Sequence, residues 1–323
     1  MNLKLLFFFI LCTVVTEVHA QTAAERYKDA VFKSVKFTAN ESYKSGQTAT
    51  AKKRDYLLDI YEPSNDEGIK RPLVIWLHGG GFKFGNKRSR GIPIWSRSFA
   101  RRGYVCIAMN YRKSSGIPVR NYNDMLDGCY SAMEDLGHLV EWCKKNAEKL
   151  RIDTGKIIVA GNSAGSIVAL QSAYTSLFEM GYRAGKRDSS KLSHVINPNN
   201  IGAVINFWGA IFDSTWLHNS QVPVVSVHGT DDGIVPYEHE DMPLYGSAVV
   251  HRQADKLNIP NVLKSYKGYR HELQRPFHPF VFGKKAKKRW LDAGQFAADF
   301  LYENVLAPQH KLAQATEGTV IGK

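Results

Sequence analysis

Residues 156–165 read KIIVAGNSAG, and this stretch decides the fold. Four apolar residues run directly into the sequence GNSAG, and the sequence SIVAL that follows it is typical of a helix. A G-x-S-x-G pattern between a strand and a helix predicts a turn so sharp that the serine takes a strained backbone conformation. The residues two before and two after it must then lack a side chain, and the Ser163 hydroxyl stands clear at the end of the strand. A glycine-rich turn without chemistry has the same short pattern, so Ser163 is a candidate nucleophile that needs partners elsewhere.

The rest of the chain alternates between strand and helix patterns. Strands are predicted at 35–38, 54–61, 73–77, 104–110, 157–160, 203–208, 222–227 and 262–266, the first two as an antiparallel pair. Helices are predicted at 94–102, 123–150, 237–257 and 289–306. This alternation predicts an α/β fold with a mostly parallel, eight-stranded sheet and helices on both faces. Because the connection at 209–221 is short, the lid is expected to be small or absent.

Three of the predicted strands end in loops that carry chemically active residues. The loops are HGGGF at 78–82, GNSAG at 161–165 and HGTDD at 228–232. In open parallel sheets the site lies at the carboxyl ends of the strands. We therefore expect these three loops to meet.

A serine hydroxyl becomes a good nucleophile only when a base takes its proton and an acid orients that base. The loop HGTDDGIVP offers two adjacent carboxylates, of which we predict Asp232 as the acid because Gly233 after it suits a turn; Asp231 is the alternative. The base is expected after the last strand, where His271 lies. His278 is the alternative, although the prolines around it indicate an irregular loop.

Acyl transfer also requires donors that stabilise the oxyanion of the tetrahedral intermediate, and backbone amides serve best where glycine lets the chain come close. Gly80, Gly81 and Ala164 are the predicted donors. A merely flexible glycine loop would not explain its place directly after a buried strand, and phosphate binding is disfavoured because no Gly-Lys-Ser/Thr follows. His78 is expected to shape this loop by hydrogen bonding, and His228 the acid loop.

Aromatic residues lie near the predicted pocket. Phe82 and Trp208 are the candidate substrate-binding residues, and Phe212 and Trp216 follow close behind Trp208. Core packing is the alternative role for at least one of the residues in this group.

At these motifs the sequence resembles the α/β-hydrolase superfamily, in its esterase/lipase branch. HGGGF resembles the oxyanion loop of carboxylesterase-type and hormone-sensitive-lipase-like enzymes. GNSAG resembles their nucleophile elbow, which is the strand-to-helix turn that carries the serine and is called the elbow below. HGTDDGIVP resembles the acid loop and GYRHE the histidine loop. The order Ser163, Asp232, His271 is the order of that superfamily, and the resemblance covers about residues 50–306. Two positions depart from it: Asn162 stands where many relatives carry an acid, and Ser166 where many carry glycine.

The resemblance implies hydrolysis of carboxylic esters through an acyl-enzyme, without a metal or other cofactor. With a small lid, it favours a small-molecule or polysaccharide-linked ester with a short acyl group, such as acetyl or feruloyl. Three alternatives remain. They are a lipase acting on longer acyl chains, a serine peptidase of the prolyl-oligopeptidase type, and a non-catalytic binding protein on the same fold. The peptidase usually brings a propeller domain for which this chain has no room, and a binding protein would be expected to have lost a triad member.

The beginning of the chain predicts export. Residues 3–15 are apolar apart from Lys4, are too short to span a membrane, and are followed by the small-residue sequence VHA. We therefore expect a secretory signal peptide at 1–20, cleavage near Ala20, and a periplasmic or extracellular protein. Lipoprotein anchoring through Cys12 is the alternative, disfavoured by the bulk of Leu11. A single domain is expected over 21–323, with 307–323 as a loose tail.

Composition excludes several other classes. No apolar run in the body of the chain approaches the length of a membrane span. The net charge is +13, but the basic residues are scattered without interleaved aromatics, which disfavours nucleic-acid binding. Cys129 and Cys143, roughly 21 Å apart on one predicted helix, cannot form a disulfide there. The oligomeric state is left open by the sequence.

Overall fold

The computed structural model describes residues 24–44, 52–186, 200–239, 244–275 and 284–307. The expected signal peptide, almost all of the expected tail, and His278 lie outside these ranges.

An eight-stranded sheet forms the centre of the molecule. The described residues form ten strands, eight of which belong to this sheet. They are β1 (Val35–Ser42), β2 (Leu57–Pro63), β3 (Arg71–Leu77), β4 (Val105–Met109), β5 (Ile152–Asn162), β6 (Ile201–Phe207), β7 (Ala210–Ile211), β8 (Val224–Gly229), β9 (Tyr245–Gly246) and β10 (Asn261–Tyr266). The large sheet has the order β1-β2-β4-β3-β5-β6-β8-β10, while the short β7 and β9 pair with each other. Strand β2 is antiparallel to both of its neighbours, and the other neighbouring pairs are parallel. The predicted α/β fold, the eight strands and the antiparallel opening pair are confirmed.

Helices cover both faces of this sheet. They are α1 (Gly91–Ala100), α2 (Tyr122–Lys145), α3 (Ala147–Leu150), α4 (Ala164–Tyr174), α5 (Leu177–Arg183), α6 (Ser247–Lys256) and α7 (Lys284–Leu301), the last extended by a π-helical turn, Tyr302–Leu306. The core on one face contains side chains of α1 and α7, and the core on the other contains side chains of α2, α4 and α6.

Strand β3 shows how the two cores arise from one sequence. Its side chains alternate, so that Leu73, Ile75 and Leu77 enter one core whereas Val74 and Trp76 enter the other. Each of these residues is completely buried. A strand covered on both faces reads as a continuous apolar run, as the sequence of β3 does.

The helix predicted at 237–257 is wrong at 237–239 and 244–246, which are not helical, while 240–243 lie outside the described residues. The helix begins only at Ser247, after β9, because the chain folds back on itself at Gly246. A Cβ atom on Gly246 would lie 1.9 Å from the carbonyl oxygen of Pro236 and 2.4 Å from that of Tyr237. Only glycine allows this close approach, and the amide of Ala248 then donates to the Tyr237 carbonyl.

The connection between β6 and β8 is short, as predicted. It carries β7 and a 3₁₀ turn, Ser214–Asn219, and forms no separate cap. No helix in the described ranges is both long and apolar enough to cross a membrane. Cys106, Cys129 and Cys143 are buried free thiols.

Candidate active site

The turn between β5 and α4 is a single residue. Strand β5 ends at Asn162 and helix α4 begins at Ala164, which leaves Ser163 between them with φ 53° and ψ −124°. This conformation is costly for a residue with a Cβ atom, and it persists only where the surrounding structure enforces it. The strain places the Ser163 side chain beside the first turn of α4.

Two glycines enforce this turn, as the sequence predicted. A Cβ atom on Gly161 would lie 2.4 Å from the carbonyl carbon of Gly165. One on Gly165 would lie 2.1 Å from the carbonyl oxygen of Leu77, at the end of β3. Both contacts are with backbone, which cannot move aside as a flexible side chain does.

The structure brings the three predicted triad residues together. Ser163 Oγ lies 2.9 Å from His271 Nε2, and His271 Nδ1 lies 2.7 Å from Asp232 Oδ2. Asp231, the alternative acid, is exposed and accepts a hydrogen bond from Thr230 instead. Asp232, and not Asp231, is therefore the carboxylate that is hydrogen-bonded to His271.

Asp232 remains ionised although its carboxylate is buried. Burial alone raises the pKa of this carboxyl group, but hydrogen bonds from His228 and His271 outweigh it and hold the pKa well below its ordinary range. Its other oxygen, Oδ1, accepts hydrogen bonds from the amides of Ile234 (2.9 Å) and Val235 (3.1 Å). The carboxylate can therefore hold the His271 ring in the tautomer that leaves Nε2 free to accept a proton from Ser163.

The glycine loop after β3 provides amides close to Ser163. Gly80 and Gly81 both have positive φ, 119° and 57°, and line the same pocket as Ser163 and Ala164. Within the described residues, the amides of Gly80, Gly81 and Ala164 donate no hydrogen bond to protein. Such unpaired donors beside a serine hydroxyl can bind an oxyanion.

His78 and Tyr111 fix the start of this loop. Their rings stack with centroids 4.3 Å apart, and the Tyr111 hydroxyl donates to the His78 carbonyl at 2.6 Å. His78 Nδ1 lies 2.7 Å from the carbonyl of Gly79, so His78 shapes the loop as expected. The contribution of Tyr111 was missed, because nothing in the sequence places its ring against His78.

The departure at Asn162 has a structural role. Its Oδ1 accepts a hydrogen bond from the amide of Gly79 at 3.1 Å, which ties the glycine loop to the elbow. Further along this loop, Lys87 and Arg88 form ion pairs with the buried Asp59 of β2, at 2.8 and 2.6 Å. The loop is thus held to its neighbours at both ends.

The departure at Ser166 joins the elbow to β6. Its Oγ lies 2.6 Å from the Gly161 carbonyl and accepts a hydrogen bond from the amide of Phe207 at 2.9 Å. A Cβ atom on Gly209 would lie only 2.3 Å from the Ser166 Cβ atom. The serine therefore fits because residue 209 has no side chain.

A pocket of about 660 Å³ opens beside Ser163 and His271. Its apolar lining residues are Phe82, Phe84, Pro118, Val119, Met125, Ile167, Ile234, Val235, Pro236 and Leu244. Phe84, Val119 and Ile234 are about 70% exposed, and we call them the apolar rim. Arg120 and Glu272 are the charged side chains in the lining apart from the triad.

The structure places Phe82 in this pocket but not Trp208. Trp208 is completely buried, has φ 45°, and packs against Trp95 and Phe207 on the other face of the sheet. Its predicted substrate-binding role is wrong, because the chain turns the ring inward after β6. Phe212 and Trp216 are also buried in the core and do not line the pocket.

Comparisons with known proteins agree with this architecture. A family model described as BD-FAE matches residues 58–211, which include the glycine loop and the elbow. Among curated proteins, the probable carboxylic ester hydrolase LipM of Mycobacterium tuberculosis is 26% identical over 172 residues, 52% of this chain and 34% of that protein. Esterase LipQ of the same organism is 27% identical over 124 residues, 38% of this chain and 27% of that one. A non-reducing polyketide synthase, Preu3 of Preussia isomera, is 27% identical over 124 residues, 38% of this chain and 5% of its own.

The chain spans about a third or less of the length of these curated relatives. Among solved structures, butyrate-bound esterase 2 of Thermogutta terrifontis aligns with a TM-score of 0.56 at 19% identity, over 83% of this chain and 94% of that one. The same enzyme phosphorylated by paraoxon aligns with a TM-score of 0.54, over 84% and 95%. The fold is that of the α/β-hydrolases, and the family model and the curated relatives support a likeness to their esterase/lipase branch.

Replacing Gly165 with alanine is expected to destabilise the protein by about 1–3 kcal/mol, because the new Cβ atom would overlap the Leu77 carbonyl. Urea unfolding measures the change. Gly233→Ala is the control, since a Cβ atom there meets nothing within 4 Å. Equal stability of the two variants would show that the elbow tolerates a side chain.

Stability is expected to fall as the pH drops below about 6.5. Burial lowers the pKa of His78 and of His251 from 6.5 to about 4, so the folded protein binds fewer protons than the unfolded chain between these values. Unfolding free energies from urea titrations at about pH 7 and pH 5 test this. His251→Leu should lose stability at neutral pH but show a smaller drop between the two pH values; an unchanged drop would contradict the assignment.

Proposed function

We propose that the chain is an exported serine carboxylic-ester hydrolase that works through an acyl-enzyme. The observation that carries the proposal is the continuous hydrogen-bonded row Ser163–His271–Asp232 beside a pocket that also contains unpaired amides. Each group that acyl transfer requires has a residue at hand: a nucleophile, a base, an acid that orients the base, and oxyanion donors.

In the proposed mechanism, each step is carried out by a named group. Ser163 Oγ attacks the ester carbonyl while its proton passes to His271 Nε2, 2.9 Å away. The amides of Gly80, Gly81 and Ala164 stabilise the negative charge that forms on the carbonyl oxygen. His271 then returns the proton to the departing alcohol, which leaves an acyl group on Ser163. Water attacks this acyl-enzyme while its proton passes to His271, which then gives the proton to Ser163 Oγ as the carboxylic acid leaves. Asp232 stays ionised throughout.

The pocket lining bears on the acyl group. Phe82, Met125 and Ile167 present apolar atoms next to Ser163, and a pocket of about 660 Å³ suits a small ligand. We infer a short acyl group, on a small-molecule or polysaccharide-linked ester. The Thermogutta terrifontis esterase with butyrate bound offers an analogy of fold for this inference.

Export is inferred from the first twenty residues alone. Their apolar segment and the sequence VHA before Gln21 are typical of a cleaved signal peptide. An exported location suits a polysaccharide-linked substrate outside the cell.

A lipase acting on longer acyl chains is the second candidate. The observation that favours it is the apolar rim, because Phe84, Val119 and Ile234 expose large apolar side chains at the pocket mouth. An exposed apolar patch around a site is typical of contact with an apolar ligand or surface.

A p-nitrophenyl ester series from acetate to palmitate tests these proposals on the chain beginning at Gln21. The expected result is a kcat/KM that falls steeply beyond short acyl chains, because the short connection between β6 and β8 forms no separate cap that would cover a long chain. Ser163→Ala should lower kcat by at least ~10³-fold, since only the oxyanion donors and the pocket remain.

A maximum at long acyl chains would instead support the lipase. Folded protein without activity on any ester would contradict both candidates and would direct attention to peptide substrates or to a binding role.

The two adjacent carboxylates provide a matched pair of variants. Asp232→Asn should lower kcat by about 10³–10⁴-fold, because an amide cannot hold His271 in the required tautomer. Asp231→Asn removes the same charge one residue away, on an exposed side chain, and should change kcat little. Steady-state kinetics on the preferred ester decide, and equal losses would contradict the assignment of Asp232.

A further inference from the structure

The acid of the triad contacts a second histidine. Asp232 Oδ2 lies 2.7 Å from His271 Nδ1 and 3.2 Å from His228 Nε2. His228 lies at the end of β8, four residues before Asp232, and is completely buried. It does not line the pocket, and within the described residues it makes no hydrogen bond with Ser163 or with the glycine loop.

The donors and acceptors around His228 fix its tautomer. Its Nε2 faces two acceptors, Asp232 Oδ2 and the carbonyl of Val235, each at 3.2 Å, so Nε2 must carry the proton. Its Nδ1 then accepts from the Ser247 hydroxyl at 2.7 Å. In the other neutral tautomer, two acceptors would face an unprotonated nitrogen.

The row continues into the sheet and is directional along its length. Ser247 Oγ, which donates to His228, accepts from Asn206 Nδ2 at 3.0 Å. Asn206 Oδ1 accepts from the amide of Gly209 at 2.9 Å, which sets the orientation of the Asn206 amide. Asn206 lies in β6 and Ser247 is the first residue of α6, and both are completely buried.

We propose that His228 is a positioning residue, which holds Asp232 Oδ2 in line with His271 Nδ1 and is itself held by Ser247 and Asn206. The role rests on the proposed esterase function and deepens it. Without the His228 N–H group, Oδ2 would have His271 as its one partner among the described residues. Only the two amide hydrogen bonds to Oδ1 would then oppose rotation of the carboxylate away from the line to Ser163. Hydrogen bonds to a buried charged group are among the stronger ones in proteins, so the loss of this bond should weaken the hold on the Asp232 carboxylate.

Two substitutions separate positioning from space filling. His228→Leu fills the space but removes the donor, whereas His228→Gln keeps an N–H donor near the place of Nε2. We expect His228→Leu to lower kcat about tenfold or more with KM nearly unchanged, because the pocket lining is untouched. His228→Gln should recover much of this loss. Ser247→Ala, which removes the hydrogen-bond partner of His228 Nδ1, should fall between wild type and His228→Leu.

His251→Leu is the matched control for loss of a buried imidazole. His251 lies on α6, is 5% exposed, and bonds to Asn261 outside this row. It should lose stability but keep the kcat of wild type. A folded His228→Leu variant with wild-type kcat would overturn the proposal. So would a His228→Gln variant as slow as His228→Leu, because the imidazole would then serve packing alone.

Two readouts do not depend on knowing the ester. The first is the rate at which a fluorophosphonate probe labels Ser163. The second is the NMR resonance of the His271 Nδ1 proton, which forms the hydrogen bond to Asp232. His228→Leu should slow the labelling and shift the resonance, and His251→Leu should do neither. If wild type hydrolyses no ester, the proposed function fails, and these two readouts still decide whether His228 positions Asp232. An unchanged resonance and labelling rate in His228→Leu would overturn it.

Discussion

The one-residue turn at Ser163 is the constraint on which the rest of the site depends. A strand and a helix that meet through a single residue must approach so closely that Gly161 and Gly165 contact backbone directly. This contact joins β5 to the end of β3, and with it the elbow to the glycine loop. Because β3 and β5 are neighbouring parallel strands, the loops that follow them lie at one edge of the sheet. The serine and the amides of the glycine loop are therefore brought together by the packing of the core.

The buried carboxylate of Asp232 is the second constraint on the site. Asp232 is shielded from water, and a charge so placed is tolerated only when protein donors replace the lost hydration. Four donors surround it, two amides from its own loop and two imidazoles. The same donors that make the charge tolerable also leave it one orientation, so its burial and its alignment with His271 have a common cause.

The sequence predicted the elbow, the order of the triad and the meeting of the three loops, because these follow from local rules. A sharp turn needs glycine at fixed positions, and parallel strands end at one edge. Sequence did not predict the direction of the Trp208 side chain, whose residue has a positive φ and whose ring lies in the core. That direction depends on packing against Trp95, which lies far away in the chain. The described residues at 237–239 and 244–246 in the helix predicted at 237–257 are not helical, and this depends on the close approach of Gly246 to the Pro236 carbonyl.

Single-sequence patterns also could not locate the partners of buried polar groups. Asn162 and Ser166 read as departures from a family pattern, yet each makes hydrogen bonds across the sheet. Such bonds join residues far apart in the chain, and no spacing rule connects them. The sequence places His228 in the acid loop, but it does not show the hydrogen bond between His228 and Ser247 on α6.

The close contact between residue 166 and residue 209 limits the order in which the site can change in evolution. With Ser166 present, a side chain at 209 has no room, so Gly209 can be exchanged only after position 166 has become glycine and the Asn206 side-chain oxygen, 2.7 Å from a Cβ atom at 209, has moved aside. The opposite order passes through an overpacked intermediate. Lineages that carry serine at the first position are therefore expected to retain glycine at the second, and the pair should covary rather than drift independently. An alignment of relatives would show this as a forbidden combination, serine together with any side chain at 209.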